Sequence, residues 1–262
     1  MKPRWLPFIL PVGIGFVVLG LWSAARLAFD LPVYILPSPL EVLRAAVTER
    51  TALLAAGSNT AIVTLIGFPL AVFVSAGLAV LLSLSPWVRA SVFPFLMALQ
   101  MTPIIVVTPI LLLWFGSGLA STVIITFLVS FFPLVVNTTQ GLISTDANLV
   151  ELFRMSRATR WQEIVLLRIP AALPYFFTGL RISAILAPIG AVVGDFFAGS
   201  STGGIGGLGF RTVIYSSQLK TPALFATAGV CCLLGFALVS VVYLLSWLCL
   251  HQWHDSFARR DR

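Results

Sequence analysis

Charge is scarce in this chain. Only 10% of its 262 residues are Asp, Glu, Lys or Arg, where an ordinary soluble domain carries about 25% and a designed soluble surface roughly 25–35%. Sixteen basic and nine acidic side chains cannot coat a surface of this size, which all but excludes a soluble globular enzyme. Lysine is scarcer still: Lys2 and Lys220 are the only two, and neither sits in a P-loop pattern, so the chain cannot hydrolyse ATP by that route. Neither G-x-S-x-G nor H-E-x-x-H occurs, which argues against the common serine and zinc membrane hydrolases. The two histidines, His251 and His254, have no third ligand nearby and read as an interfacial tail rather than a metal site. Cys231, Cys232 and Cys249 fall in one apolar stretch and imply neither a disulfide framework nor a metal site.

Hydrophobicity is what the chain has in excess, with 59% hydrophobic residues and a mean hydropathy of +1.03. Disorder is excluded on that ground, leaving a polytopic membrane protein. Six apolar stretches separate, at about 5–28, 59–84, 91–114, 120–142, 171–197 and 221–250. Each exceeds the roughly 9–11 residues of a barrel strand and suits a helical crossing of about 20–25. The expectation is an all-α fold, a single transmembrane domain over residues 1–262. The third stretch carries Pro94, Pro103 and Pro109 and is the least suited to one straight helix. The first follows a basic start, but its apolar run is longer than a signal-peptide core of about 7–15 residues, so it reads as an uncleaved anchor.

Orientation follows from the positive charges. With the N-terminus inside, Lys2, Arg4, Arg89, Arg154, Arg157, Arg160, Arg168, Arg259, Arg260 and Arg262 fall in the cytoplasm, against Arg26, Arg44, Arg50, Arg211 and Lys220 outside. Both termini are therefore expected inside, and the net charge of +7 reads as topology rather than affinity for nucleic acid. Trp5, Trp22, Trp87, Trp114, Trp247 and Trp253 lie near span ends, as an interfacial aromatic belt requires.

Three connections carry polar information. After the first span, Ser38 can cap a helix with Pro39 in its first turn; Leu40, Leu43 and Val47 make an apolar stripe while Glu41, Arg44 and Glu49 stay polar. This predicts a short helix on the outer membrane surface. The connection from 144 to 170 holds Asp146, Glu151, Arg154, Arg157, Arg160, Glu163 and Arg168, seven charges in 27 residues. It predicts a two-part helix, capped by Asp146 and broken around Ala158–Trp161, with Phe153, Met155 and Trp161 embedded, suited to docking another protein. The third connection, 198 to 222, is glycine-rich. Gly204 to Gly209 match G-x-G-x-x-G, but without a preceding strand the match is spurious and the segment reads as a flexible outer loop or gate.

Arg181 and Asp195 both lie in the fifth span. Fourteen residues apart, they stand about 21 Å from each other on nearly one helix face, too far to pair. Intramembrane charges face a bundle interior or a water-filled path. Arg181 is placed to snorkel or meet the loop's carboxylates, and Asp195 to partner an arginine elsewhere; lining a solute path is the other reading for both. Gln100, Thr102, Asn137 and Gln140 are weaker candidates for the same path, with helix–helix hydrogen bonding as the alternative.

The charged loop also carries a resemblance. Glu151-Leu152-Phe153-Arg154-Met155-Ser156-Arg157-Ala158-Thr159-Arg160-Trp161-Gln162, followed by Ile169-Pro170-Ala171-Ala172-Leu173-Pro174, resembles the EAA loop of ABC-importer permeases. Ile35-Leu36-Pro37-Ser38-Pro39, Thr102-Pro103-Ile104, Trp114-Phe115-Gly116, Phe131-Phe132-Pro133 with Asn137, and Gly179-Leu180-Arg181 are similar to the nitrate/sulfonate/taurine-type branch, which includes importers of thiamine-precursor pyrimidines. The likeness spans about residues 34–245.

It implies the type I importer permease fold in a bacterial inner membrane, forming a homodimer. Cytoplasmic ATPase subunits that bind ATP and Mg would dock on residues 148–162, and an external solute-binding protein would deliver the solute; this chain would bind no cofactor. Glu151, Arg154 and Trp161, with Phe153 as an apolar knob and Arg157 and Ala158 beside them, are the implied docking residues. Arg157 stands where the family usually has glycine, so the turn there either is strained or shifts by one residue. An ion-gradient carrier would want inverted repeats and a midplane ion site, and a membrane-embedded enzyme a nucleophile–base or metal constellation. The sequence offers neither.

Overall fold

The computed structural model describes residues 6–199 and 206–250, all of whose regular elements are helical. Trp5, Trp253, His251, His254 and the first glycine of the fingerprint-like segment, Gly204, lie outside the described residues. Among the described residues, five helices are long and apolar enough to cross a membrane: α1 (Leu6–Ala28), α3 (Arg50–Leu84), α6 (Leu119–Ile143), α9 (Ile169–Ala198) and α11 (Thr221–Leu250). Between them lie α2 (Pro39–Thr48), α4 (Pro86–Met101), α5 (Ile104–Phe115), α7 (Ala147–Met155), the short α8 (Arg160–Gln162) and α10 (Leu208–Ser217). A sixth crossing arises if α4 and α5, bent by 98° at their junction, count as one broken span.

The bend has a local cause. Pro103 has no N–H to give, and it pushes Thr102 before it into an extended conformation (φ −72°, ψ 122°). The Thr102 N–H instead reaches back to Leu99 O at 3.2 Å, ending α4, and Val106 N–H to Pro103 O at 2.9 Å starts α5.

At the centre, α6 packs against α9, with α3 against both of them and α11 against α9. Small residues let the backbones approach: Gly179, Ser183, Ala187, Gly190 and Gly194 recur every three or four positions along α9, all buried. A Cβ on Gly194 would lie 2.6 Å from Thr122 Cγ2, and one on Gly179 2.9 Å from Asn137 Cβ. In this seam Ser183 Oγ donates to Ser130 O at 2.6 Å, a hydrogen bond between helices. Phe68, Leu134, Phe177, Leu180 and Val242 form one apolar cluster, and Leu82, Leu96, Phe131, Val135 and Leu142 a second.

α3 begins nine residues before the expected span start. At 35 residues it is about 52 Å long, well beyond a hydrocarbon core of about 30 Å. In its first turns Leu53 joins Tyr215, Ala223 and Ala226 in a third cluster. α2 forms where the cap predicted it. Glu41 N–H donates to Ser38 Oγ at 3.2 Å and Ser38 N–H to Glu41 Oε2 at 2.8 Å, a reciprocal capping box. Its stripe is turned, however: Leu40, Leu43 and Val47 are exposed, while Val42, Ala45 and Ala46 pack on the third cluster. The glycine-rich connection is likewise not loop throughout, because α10 occupies Leu208–Ser217 with Tyr215 buried. α1 stands apart, its apolar face open to the surroundings. It is held at its end by Trp22 Nε1 donating to Pro37 O at 2.9 Å and by the Arg26–Glu41 ion pair.

Candidate functional site

The segment joining α6 to α9 folds as the sequence suggested, in two parts. Asp146 caps α7, its carboxylate accepting from Asn148 N–H at 2.8 Å. The helix ends in a Schellman turn: Ala158 N–H bonds Phe153 O and Arg157 N–H bonds Arg154 O, both at 3.0 Å. That turn requires a left-handed residue after the cap, and Arg157 supplies it at φ 56°. The strained turn is therefore the one adopted, with arginine where glycine would be cheapest, at a cost of about 1–2 kcal/mol. Thr159 restarts the chain with a second capping box to Gln162.

After α8 the backbone widens into a π-helical turn over Glu163–Arg168 before entering α9. In a π-turn residues five apart stack, which brings Arg168 onto Glu163. Arg168 Nε and Nη2 both donate to Glu163 Oε1, the former at 2.8 Å, and Arg168 Nη1 reaches Leu142 O at 3.4 Å. Arg154 approaches the same carboxylate at 3.7 Å. Glu163 is buried, and through it Arg168, which reaches Leu142 O, is held to fasten the loop to the end of α6.

Of the expected docking residues, Glu151, Arg154, Arg157 and Trp161 are exposed, and Phe153 and Ala158 are half-buried. The most exposed apolar side chains are Met155 (82%) and Trp161 (69%), with Leu152 beside them. The outward face of this loop is thus apolar with arginines around it, while Phe153 turns partly inward.

The six path candidates separate into several places. Gln100 and Thr102 meet at the α4–α5 bend, in a cavity of about 400 Å³ lined also by Pro103, Val129, Phe132 and Leu186. The broken backbone lines this cavity, the setting in which irregular chain is tolerated at membrane depth. Asn137, half-buried on α6, donates to Pro133 O at 2.7 Å, and Gln140 is exposed. Arg181 meets none of the loop carboxylates. Its Nη2 donates to Ser246 Oγ and its guanidinium lies 5.0 Å over the Tyr243 ring, so it joins α9 to α11.

Asp195 takes a hydroxyl where an arginine was expected. Thr60 Oγ1 donates to Asp195 Oδ2 at 2.6 Å and itself accepts from Leu208 N–H at 2.8 Å, linking α3, α9 and the start of α10. A Cβ on Gly207 would lie 1.8 Å from Asp195 Oδ2, and one on Gly209 2.0 Å from Val192 O. Glycine is required at both places by close approach. The sequence reading missed Thr60 and counted Glu163 only among the charges of the loop. Only the fold brings Thr60 to a carboxylate 135 residues away, whereas the five-residue interval between Glu163 and Arg168 was a readable signal for a π-turn.

On the same end, Tyr215 Oη donates to Glu49 Oε2 at 3.1 Å and Lys220 pairs with Glu49 Oε1 at 3.4 Å. Burial pushes the Tyr215 phenol above its ordinary value, and Glu49 adds to the shift. Glu41 is held below the usual carboxylate range by the Ser38 N–H first and the Arg26 guanidinium second.

Residues 58–260 match the family model described as the binding-protein-dependent transport system inner membrane component. The chain belongs to that family. It is an ABC-importer permease subunit, a multi-pass membrane protein and not an enzyme. Over 227 residues it is 34% identical to the formylaminopyrimidine transport permease protein of Halalkalibacterium halodurans, covering 86% of this chain and 88% of that one. It is 30% identical to a putative aliphatic sulfonates transport permease of Bacillus subtilis, over 73% of this chain and 67% of that one. The taurine transport system permease of Escherichia coli is 26% identical over 91% of this chain and 88% of its own length.

Proposed function

We propose that this permease carries a small polar solute across the membrane under the power of a separate ATPase, which docks on the α7–α8 loop. One observation supports this above the rest. An exposed apolar face of Leu152, Met155 and Trp161 is rimmed by Arg154 and Arg157 on a loop that a buried Glu163–Arg168 pair fastens to the span bundle. A surface of that composition suits a protein partner, and its fixed base would pass a movement of the loop to α6 and α9. ATP and Mg would be held by the ATPase, and an external binding protein would present the solute. Both termini lie in the cytoplasm in this reading, residues 1–262 act as one domain, and two copies form the path.

Gln100 and Thr102 at the helix break are proposed to face the solute, with Asn137 and Gln140 further along the path. The cavity lining carries amide and hydroxyl groups but no charged side chain, which favours a neutral heteroaromatic solute of the formylaminopyrimidine kind over a sulfonate. Arg181 and Asp195 are assigned to holding helices together, on the partners described above. A tagged chain is expected to co-purify its ATPase, and the pair Met155→Asp and Trp161→Ala to lose it while still inserting in the membrane. Unchanged co-purification would remove the loop from the docking surface. A ligand screen by thermal shift on the cognate binding protein tests the solute class.

A further inference from the structure

On the inner side of the same loop lies a polar cavity of about 590 Å³, walled by the end of α3, the first turn of α4, the last residue of α6, the α7–α8 turn and the π-turn. Four arginines line it, Arg89, Arg154, Arg160 and Arg168, against the single carboxylate of Glu163. Glu163 is already taken by Arg168 and approached by Arg154. The Arg89 and Arg160 side chains have no hydrogen-bond or ion-pair partner among the described residues. The cavity therefore carries an excess of three positive charges that nothing in the described chain neutralises.

The surplus and its position together specify a ligand. Guanidinium groups approaching from three separate segments suit an anion whose oxygens accept from several directions at once, which is the geometry of a phosphate group. Depth narrows the source. Leu84 ends α3, Pro86 begins α4, Ile143 ends α6 and Arg168 precedes α9, so membrane segments begin or end on every wall but the one the α7–α8 loop supplies, at the level of lipid headgroups. Trp87, next to the lining residue Pro86, is 84% exposed, as befits a side chain at the headgroup level. Leu84, Ile143 and Ile164 give the wall an apolar portion, suited to the glycerol and first acyl carbons behind a phosphate. A basic pocket between membrane helices is a site where anionic headgroups bind.

We propose that this cavity binds the phosphate of an anionic phospholipid from the adjacent leaflet, held between Arg89 on α4 and Arg160 on the loop. The lipid would tie the loop to α4 as Glu163 and Arg168 tie it to α6. Binding of this kind is independent of what docks on the outward face of the loop, and is measured without transport.

The full chain, purified in neutral detergent, is titrated with phosphatidylglycerol or phosphatidylcholine and the adducts counted by native mass spectrometry. Phosphatidylglycerol is expected to bind at least about tenfold more tightly than phosphatidylcholine. The double variant Arg89→Gln with Arg160→Gln should weaken it about thirtyfold, at roughly five- to sixfold for each of the two contacts. Arg44→Gln, an exposed arginine at the opposite end, should change nothing, and unchanged circular dichroism excludes misfolding of the double variant. Equal binding of the two lipids, or undiminished phosphatidylglycerol binding by the double variant, overturns the proposal. Inorganic phosphate is the second probe: if it binds and the chain does not distinguish the lipids, the lipid assignment fails and the cavity belongs to a soluble phosphate. Loss of ATPase co-purification in the double variant, with no lipid preference in the parent, would overturn it in favour of a protein-docking surface.

Discussion

At the end of the bundle where α9 meets α10, three acids are consumed by nearby partners: Glu41 by Arg26 and Ser38, Glu49 by Tyr215 and Lys220, and Asp195 by Thr60. Where α9 begins, the balance is reversed. Arg89, Arg154, Arg160 and Arg168 surround the one carboxylate of Glu163, and Arg157 stands exposed in a strained turn. The first end is closed by reciprocal contacts between its own segments. The second fastens its loop at one point and leaves positive charge and apolar surface unmatched, as a face built to meet something else does.

Breaking the single fastening should have the largest effect. Glu163→Gln leaves Arg168 without its counter-charge in a mostly buried place, at 19% side-chain exposure, and should cost about 3 kcal/mol, read as a lowered unfolding midpoint in detergent. The corresponding cut at the other end is Thr60→Val. It removes the donor to Asp195 and the acceptor for Leu208 N–H, at about 1–3 kcal/mol for the buried groups left unmatched, with α10 the first segment to gain amide hydrogen exchange. The smallest change has the opposite sign: Arg157→Gly relieves a left-handed arginine and should stabilise the loop by about 1 kcal/mol. A neutral or destabilising outcome would mean that the Arg157 side chain makes up for its own backbone strain.

Hydropathy made the long helices readable, because a membrane crossing is a local property of some twenty residues. Ser38 and Asp146 were readable as caps for the same reason: a cap acts within three residues of itself. The partners of the intramembrane charges were not. Arg181 meets Ser246 across 65 positions and Asp195 meets Thr60 across 135, and helical phase alone does not say which neighbouring helix a charge faces. The glycine-rich connection was misread because glycine suggests freedom, while Gly207 and Gly209 serve close approach of α10 to α9. The proline-rich third stretch announced a break, but a 98° turn depends on how α5 packs afterwards against α6 and α9.

Reconstituted transport tests the central claim most directly. Proteoliposomes holding this chain, its ATPase and its binding protein should take up solute when supplied with ATP. Met155→Asp with Trp161→Ala should reduce that uptake to background at unchanged membrane content. Uptake that runs on an ion gradient without ATP, or that survives those loop substitutions, would contradict the account.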